Sequence, residues 1–250
     1  MKALLFICHG TRLRKGRIEA EEFVRLCMAS VDVPIKEICF LELSEPSIAQ
    51  GFDTCIQKGA TSISVVPVFL LSANHIKIDI PKELRHLQTK YPETEVIYGR
   101  AFGVHEAIPH LLWEKITKSA ISINGNSQVL LVGRGSTDGD VKRDLEKIAS
   151  NVQSHYGIPS IQACFLTGSS PSFEEALWCV REKYAQVIVV PYLLFSGLLI
   201  NGMKLTINRY LQQSQQKVIL CDTLGYHPIL KEVLLTRIKE TLHTNDYAFS

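Results

Sequence analysis

Val65-Val66-Pro67-Val68-Phe69-Leu70-Leu71-Ser72-Ala73-Asn74-His75 is the stretch on which the fold turns. Its first seven residues are apolar without a break, and such a run suits a strand covered on both faces of a parallel sheet. It closes in a short polar segment carrying one histidine. Parallel sheets collect ligands just past the carboxyl ends of their strands. A strand over residues 62–71 therefore puts His75 where chemistry is expected.

Upstream, residues 3–8 read as a buried strand that closes at His9-Gly10-Thr11-Arg12, where Gly10 permits a tight backbone path. Ala20, Phe23, Val24 and Cys27 follow at helical spacing. Residues 35–41 are a second strand, ending at Glu42. Pro46 and Ser47 then open a helix with Ile48, Phe52, Cys55 and Ile56 inward and Gly59 suited to its stop. Downstream, Asp79 and Pro81 read as the cap and first turn of a helix facing inward through Leu84 and Leu87. A strand over residues 95–98 and a helix through Ile108, Leu111, Leu112 and Ile116 complete four β–α pairs.

Residues 119–127 are polar, carry Asn-Gly-Asn and read as a linker. Beyond them the pattern restarts. Strands are expected over residues 128–132, 160–166, 187–195 and 217–221. The helices between and after them are marked by Val141, Leu145, Ile148, Ala149 and Val152; by Phe173, Ala176, Leu177 and Val180; by Met203, Ile207, Tyr210 and Leu211; and by Leu230, Val233, Leu234 and Ile238.

The restart is a repeat in residues as well as in elements. Cys39-Phe40-Leu41 recurs as Cys164-Phe165-Leu166 and Ser44-x-Pro46-Ser47 as Ser169-x-Pro171-Ser172, both displaced by 164 − 39 = 125. Val65-Val66-Pro67 recurs as Val189-Val190-Pro191, and Gly103-x-His105 as Gly225-x-His227. The expected architecture is α/β: two tandem, homologous (βα)4 parallel-sheet domains, doubly wound, facing each other across a cleft. The repeat divides the chain into an N-terminal domain over 1–118, a linker over 119–127 and a C-terminal copy over 128–250.

Duplication also separates what serves the fold from what serves chemistry. His9-Gly10-Thr11 aligns with Arg134-Gly135-Ser136, so the glycine and the hydroxyl persist while the histidine is lost. Glu42 aligns with Thr167 and His75 with Leu199. Three strand ends of the first copy carry His, Glu and His, and their counterparts in the second do not. Two imidazoles and a carboxylate suit a borderline divalent ion such as Fe²⁺, Co²⁺, Ni²⁺ or Zn²⁺, and three protein ligands leave positions open for exchange. His105 and His227, present in both copies just before a helix, read instead as capping or packing residues.

Composition bounds the rest. With 46 % hydrophobic and 21 % charged residues, the chain has the makings of a sizeable core. A formal net charge of +2 gives no global reason to expect nucleic acid. Lys2, Arg12, Arg14, Lys15 and Arg17 precede the first acid at Glu19, which on charge alone is explained by a solvated loop and helix start. Seven cysteines without a C-x-x-C read as buried thiols of a reducing compartment. Residues 4–7 are too short an apolar run for a secretory signal, and the apolar stretch over 187–200 falls short of the ~20 residues of a membrane span. A cytoplasmic protein with no membrane or nucleic-acid partner is expected.

The sequence resembles the sirohydrochlorin chelatases of the class II, ATP-independent type, in the branch with two fused halves. The resemblance covers nearly the whole chain. Its carriers are the first strand into His9-Gly10-Thr11-Arg12, the segment Phe40-Leu41-Glu42-Leu43-Ser44-Glu45-Pro46, the run from Val66-Pro67 through His75-Ile76-Lys77-Ile78-Asp79-Ile80-Pro81, and Gly133-Arg134-Gly135-Ser136-x-Asp138. Thr11 stands where the family commonly has serine, and Asn74 where it often has alanine. The resemblance implies a ferrochelatase that inserts Fe²⁺ into sirohydrochlorin to give sirohaem. His9, Glu42 and His75 would be its metal ligands and catalytic residues. The metal, Fe²⁺ or else Co²⁺ or Ni²⁺, is then a substrate, and no organic cofactor is implied. An anionic tetrapyrrole rich in carboxylates gives the basic lip a purpose, with Arg12, Arg14, Lys15 and, opposite His9 by the repeat, Arg134 as its expected contacts. A chain with both halves needs no second copy to complete two domains, so a monomer is expected.

Three other readings compete. Sirohydrochlorin cobaltochelatase, of cobalamin biosynthesis, differs only in the ion. A phospho-histidine hydrolase shares strand-His-Gly-Thr, but such enzymes have arginine directly before the histidine, where Cys8 stands. A non-catalytic metal or tetrapyrrole carrier would use the same residues and differ in turnover.

Overall fold

The apolar run that opens the quoted stretch becomes an inner strand of a four-stranded sheet. The structure is a computed structural model that describes residues 1–119 and 122–243. Strands β1 (Lys2–Cys8), β2 (Ile35–Phe40), β3 (Ser62–Pro67) and β4 (Glu95–Tyr98) are all parallel, in the order β2-β1-β3-β4. Six of the seven β1 residues and five of the six β3 residues are buried, as strands covered on both faces require. The chain leaves β1 first to one side and then to the other, so β1 and β3 flank the point where strand order reverses.

The covering helices α1 (Arg14–Met28), α2 (Ile48–Gln57) and α3 (Ile80–Lys90) bury the expected stripes. These are Ala20, Phe23, Val24 and Cys27; Ile48, Phe52 and Cys55, with Ile56 only half-buried; and Leu84 and Leu87. Ser47 opens α2 with a capping box, accepting from the Gln50 N–H while the Gln50 side chain accepts from its own N–H.

The second copy repeats this plan. Strands β5 (Ser127–Gly133), β6 (Ile161–Phe165), β7 (Gln186–Tyr192) and β8 (Lys217–Leu220) are parallel in the order β6-β5-β7-β8. Its helices are α5 (Gly139–Tyr156), α6 (Phe173–Cys179) and α7 (Leu198–Leu211). Ser172 makes the same capping box with Glu175 as Ser47 makes with Gln50.

Two expectations near the quoted run change. The strand expected through residue 71 stops at Pro67. Pro67 has no N–H to return to β4 after Gly99 N–H has bonded the Val65 carbonyl, and the ladder ends there. The helix expected to begin at a capping Asp79 begins earlier, with a single π turn over His75–Asp79 that runs into α3. Asp79 has helical backbone angles and caps nothing.

The compact units also follow a different line from the repeat. Residues 1–103 together with those from Leu230 on form one unit, and Val104–Ile229 form the other. Helix α4 (Ile108–Thr117) therefore packs on α5 and β7, and α8 (Pro228–His243) supplies the last helix of the first unit. Matching anchors hold the two helices. In the first unit Arg237 of α8 donates from Nε to the Ala101 carbonyl at 3.0 Å and from Nη2 to the Phe102 carbonyl at 2.6 Å. In the second unit Lys115 of α4 donates to the Thr223 carbonyl at 2.6 Å. Lys115 and Arg237 are repeat counterparts, since 237 − 115 = 122, as are Ala101 and Thr223, since 223 − 101 = 122. An amphipathic stripe says that a helix covers a sheet but not which sheet, so sequence periodicity could not place α4 and α8. Of the linker expected over 119–127, residues 120 and 121 lie outside the described residues, as do 244–250 of the C-terminal copy.

All seven cysteines carry free thiols, with Cys179 alone exposed. Among the described residues no helix is long and apolar enough to cross a membrane.

Candidate metal centre

His9 follows β1 directly, and its position is set by a backbone corner. Gly10 has φ +91°, and a Cβ on it would stand 1.8 Å from the Glu42 carbonyl oxygen. Only glycine permits that approach. Leu41 N–H bonds the Cys8 carbonyl and Glu42 N–H the His9 carbonyl at 3.1 Å, so the two loops stay zipped beyond the strands. Ser44 closes the corner twice: its hydroxyl accepts from Thr11 N–H and donates to the Thr11 carbonyl. The Thr11 hydroxyl accepts from Leu13 N–H. The second copy has the same corner: Gly135 at φ +86°, Ser169 on both Ser136 backbone groups, and the Ser136 hydroxyl on Asp138 N–H. Glycine and hydroxyl thus build the turn, and the histidine is a separate addition.

Glu42 is exposed on this corner, and Leu43 after it has φ +60°. A side chain in the left-handed region costs roughly 1–2 kcal/mol.

His75 reaches the site differently. Past β3, Val68 N–H bonds the Ile7 carbonyl, and the Phe69 and Leu70 carbonyls accept from the Phe102 and Gly103 N–H groups. This brace carries the chain into the π turn, whose closing bond runs from Ile80 N–H to the His75 carbonyl. Pro81 cannot make the next such bond. The Ile76 carbonyl accepts instead from the Tyr98 hydroxyl at 2.9 Å, and burial raises the Tyr98 pKa, keeping the hydroxyl protonated as a donor. Single π turns are common at functional sites.

One ligand atom from each of His9, Glu42 and His75 lies within 4.8 Å of the other two. His9 Nδ1 is 3.6 Å from Glu42 Oε1, and the two imidazole rings meet edge to face at 5.1 Å between centroids. Phe69 stands 6.0 Å from the His9 ring. Each imidazole turns Nδ1 to an oxygen: His9 to the Gly10 carbonyl at 3.3 Å, His75 to Asp79 Oδ2 at 2.7 Å. A carboxylate that accepts Nδ1–H leaves the Nε2 lone pair for an ion. A carboxylate at a helix start reads as a cap, so the sequence alone does not single out Asp79 as a partner of His75. The signal that could have found it is the i, i+4 spacing from His75.

The neighbouring thiols do not join the donor set. Burial pushes Cys8 up to about 12 and Cys39 well above its ordinary range, so both stay protonated. What remains is two nitrogens and one oxygen, suited to a borderline divalent ion with positions left open.

The basic residues fall into two places. Arg12, Arg14 and Lys15 are exposed on the loop and first turn that follow the His9 corner, with Lys15 Nζ 3.8 Å from Glu19. The first turn of α1 has no acidic residue, so side-chain charge adds to the positive end of the helix dipole instead of opposing it. Arg134 is exposed after β5, in the other compact unit. The repeat histidines behave as read. His105 Nδ1 accepts from Ala107 N–H, and His227 Nδ1 from Ile229 N–H, each just before a helix.

The CbiX family pattern matches the chain twice, over residues 3–119 and 128–241. A sirohydrochlorin ferrochelatase of Priestia megaterium is 44 % identical over 243 residues, covering 97 % of this chain and 91 % of its own. A sirohydrochlorin cobaltochelatase of the same organism is 33 % identical over 248 residues, with 97 % and 80 % covered. Among solved structures, SirB from Bacillus subtilis with Fe³⁺ matches at a TM-score of 0.87 and 37 % identity, over 96 % of this chain and 95 % of that one.

Proposed function

Since this chain belongs to the CbiX family, we propose that it is a sirohydrochlorin ferrochelatase, inserting Fe²⁺ into sirohydrochlorin to give sirohaem without ATP. The observation that carries the reading is the grouping of His9, Glu42 and His75 within 4.8 Å, on the copy of the repeat whose counterpart has Arg134, Thr167 and Leu199. These three hold the incoming ion. Two neutral imidazoles and one carboxylate bind it loosely enough to surrender it to four ring nitrogens. Two pyrrole N–H protons leave as the ion enters, and His9 or Glu42 accepts them. Arg12, Arg14 and Lys15, beside the His9 corner, pair with carboxylates at the ring's rim.

Cobalt is the second reading, favoured by the match to a cobaltochelatase over nearly the whole chain. The donor set itself does not select between the two ions. We infer a cytoplasmic monomer; the presence of both repeats in one chain supports the monomer.

The test is an anaerobic assay of purified protein with sirohydrochlorin and either Fe²⁺ or Co²⁺, following the macrocycle's absorbance. Many turnovers per protein, faster with Fe²⁺, are expected. A rate equal to the uncatalysed reaction overturns the reading, and a single product per protein replaces it with a carrier.

A further inference from the structure

Leu43 presents a conflict between backbone and side chain that the fold does not explain. It follows Glu42 at φ +60°, and its repeat counterpart, by 168 − 43 = 125, is Gly168 at φ +68°. At Gly168 a Cβ would stand 2.9–3.2 Å from backbone atoms of Ser136, so the corner is crowded as well as left-handed. The copy without the ligand trio thus has the residue this conformation favours. The copy with the trio has a branched apolar side chain instead, and that side chain is 50 % exposed, so it adds little to the core. Ile78, on the π turn between His75 and Asp79, is likewise 54 % exposed. Apolar side chains in solvent therefore accompany two of the three ligand loops. A residue kept against local conformational preference and outside the core points to use by a ligand.

We propose that Leu43 is a substrate-binding residue that seats the apolar face of the macrocycle over the ion held by the trio. The inference rests on the chelatase reading. A tetrapyrrole offers a flat, apolar face inside a rim of carboxylates. Basic side chains can hold the rim, but the ring must also lie face-on to the ion for its nitrogens to receive it. An exposed leucine adjoining a metal ligand gives that face a contact and excludes water from it.

Leu43→Gly tests this. The variant should fold with a thermal midpoint at or above that of the wild type, because glycine suits the corner. Co²⁺ affinity measured by calorimetry without macrocycle should be unchanged. KM for sirohydrochlorin should rise about fivefold to tenfold, the loss expected for deleting a half-exposed leucine contact, with kcat within about twofold. Leu43→Met, which keeps an apolar side chain, should retain a KM near the wild-type value. A wild-type KM in Leu43→Gly overturns the proposal. So does a parallel loss of Co²⁺ affinity, which would mean that Leu43 acts by shaping Glu42. A wild-type protein without chelatase activity overturns the functional reading and this proposal with it, whereas an active wild type with an unaltered variant sinks this proposal alone.

Discussion

Asp79 holds His75 through a 2.7 Å contact between two half-exposed or exposed side chains, and its worth lies in orientation more than in stability. Asp79→Ala is expected to lower Co²⁺ affinity by about 10–100-fold, the usual cost of losing such a partner, while the thermal midpoint barely moves. His75→Ala should lose more. Calorimetry that gave Asp79→Ala the wild-type affinity would remove Asp79 from the site. The grouping of His9, Glu42 and His75 was legible in the sequence because the second copy lacks these residues, which separated candidate ligands from scaffold without any relative. Asp79 was not, since a carboxylate beside Ile80-Pro81 satisfies the rule for a helix cap equally well. The distance among the three side chains was beyond the sequence altogether: it depends on the Gly10 corner and on how far the chain travels from Pro67 to His75.

Element by element, the strands were legible because two-sided burial writes them as unbroken apolar runs, and the helices because their stripes repeat at helical spacing. The π turn was not, because one wide turn leaves no periodic trace. It depends on Tyr98 supplying the donor that Pro81 lacks. Tyr98→Phe should cost about 1 kcal/mol, read as a fall of roughly 2–4 °C in the thermal midpoint, and should weaken Co²⁺ binding through His75. An unshifted midpoint would show that the Ile76 carbonyl finds another donor.

Helix α4 carries a pH-sensitive contact. Burial lowers the pKa of His227 below its ordinary 6.5, against the pull of the Glu114 carboxylate 3.1 Å away, and the hydrogen bond to His227 lowers that of Glu114. The folded chain then binds fewer protons at both groups than the unfolded chain. Stability is therefore lost as pH falls, for His227 below about 6.5 and for Glu114 as the pH passes down through its lowered value. The stability difference between wild type and His227→Gln should shrink between pH 7.5 and 5 in urea titrations. A constant difference would exclude His227 from the acid response.

At the scale of the whole molecule, the exchange of α4 and α8 ties each compact unit to residues from the far half of the chain. Arg237 is the sharpest instance, a buried guanidinium whose hydrogen bonds hold the Ala101 and Phe102 carbonyls. Through Phe102 N–H it also backs the Phe69 carbonyl and so the segment leading to His75. Arg237→Ala should cost about 2–4 kcal/mol, seen as a lower urea midpoint, and a loss well below 1 kcal/mol would show that water replaces the guanidinium. Ending the chain after Tyr226 should leave no folded first unit, although His9, Glu42, His75 and every strand of that sheet are present. A well-dispersed NMR spectrum from the truncated protein would refute this.

Matched anchors 122 residues apart also mean that severing the chain is not the same as dividing the protein. If the gene were cut between Asn124 and Gly125, neither product would own a complete set of helices, yet each would contain what the other lacks. Co-produced fragments should find each other and restore metal binding, while either one made alone should be claimed by proteases.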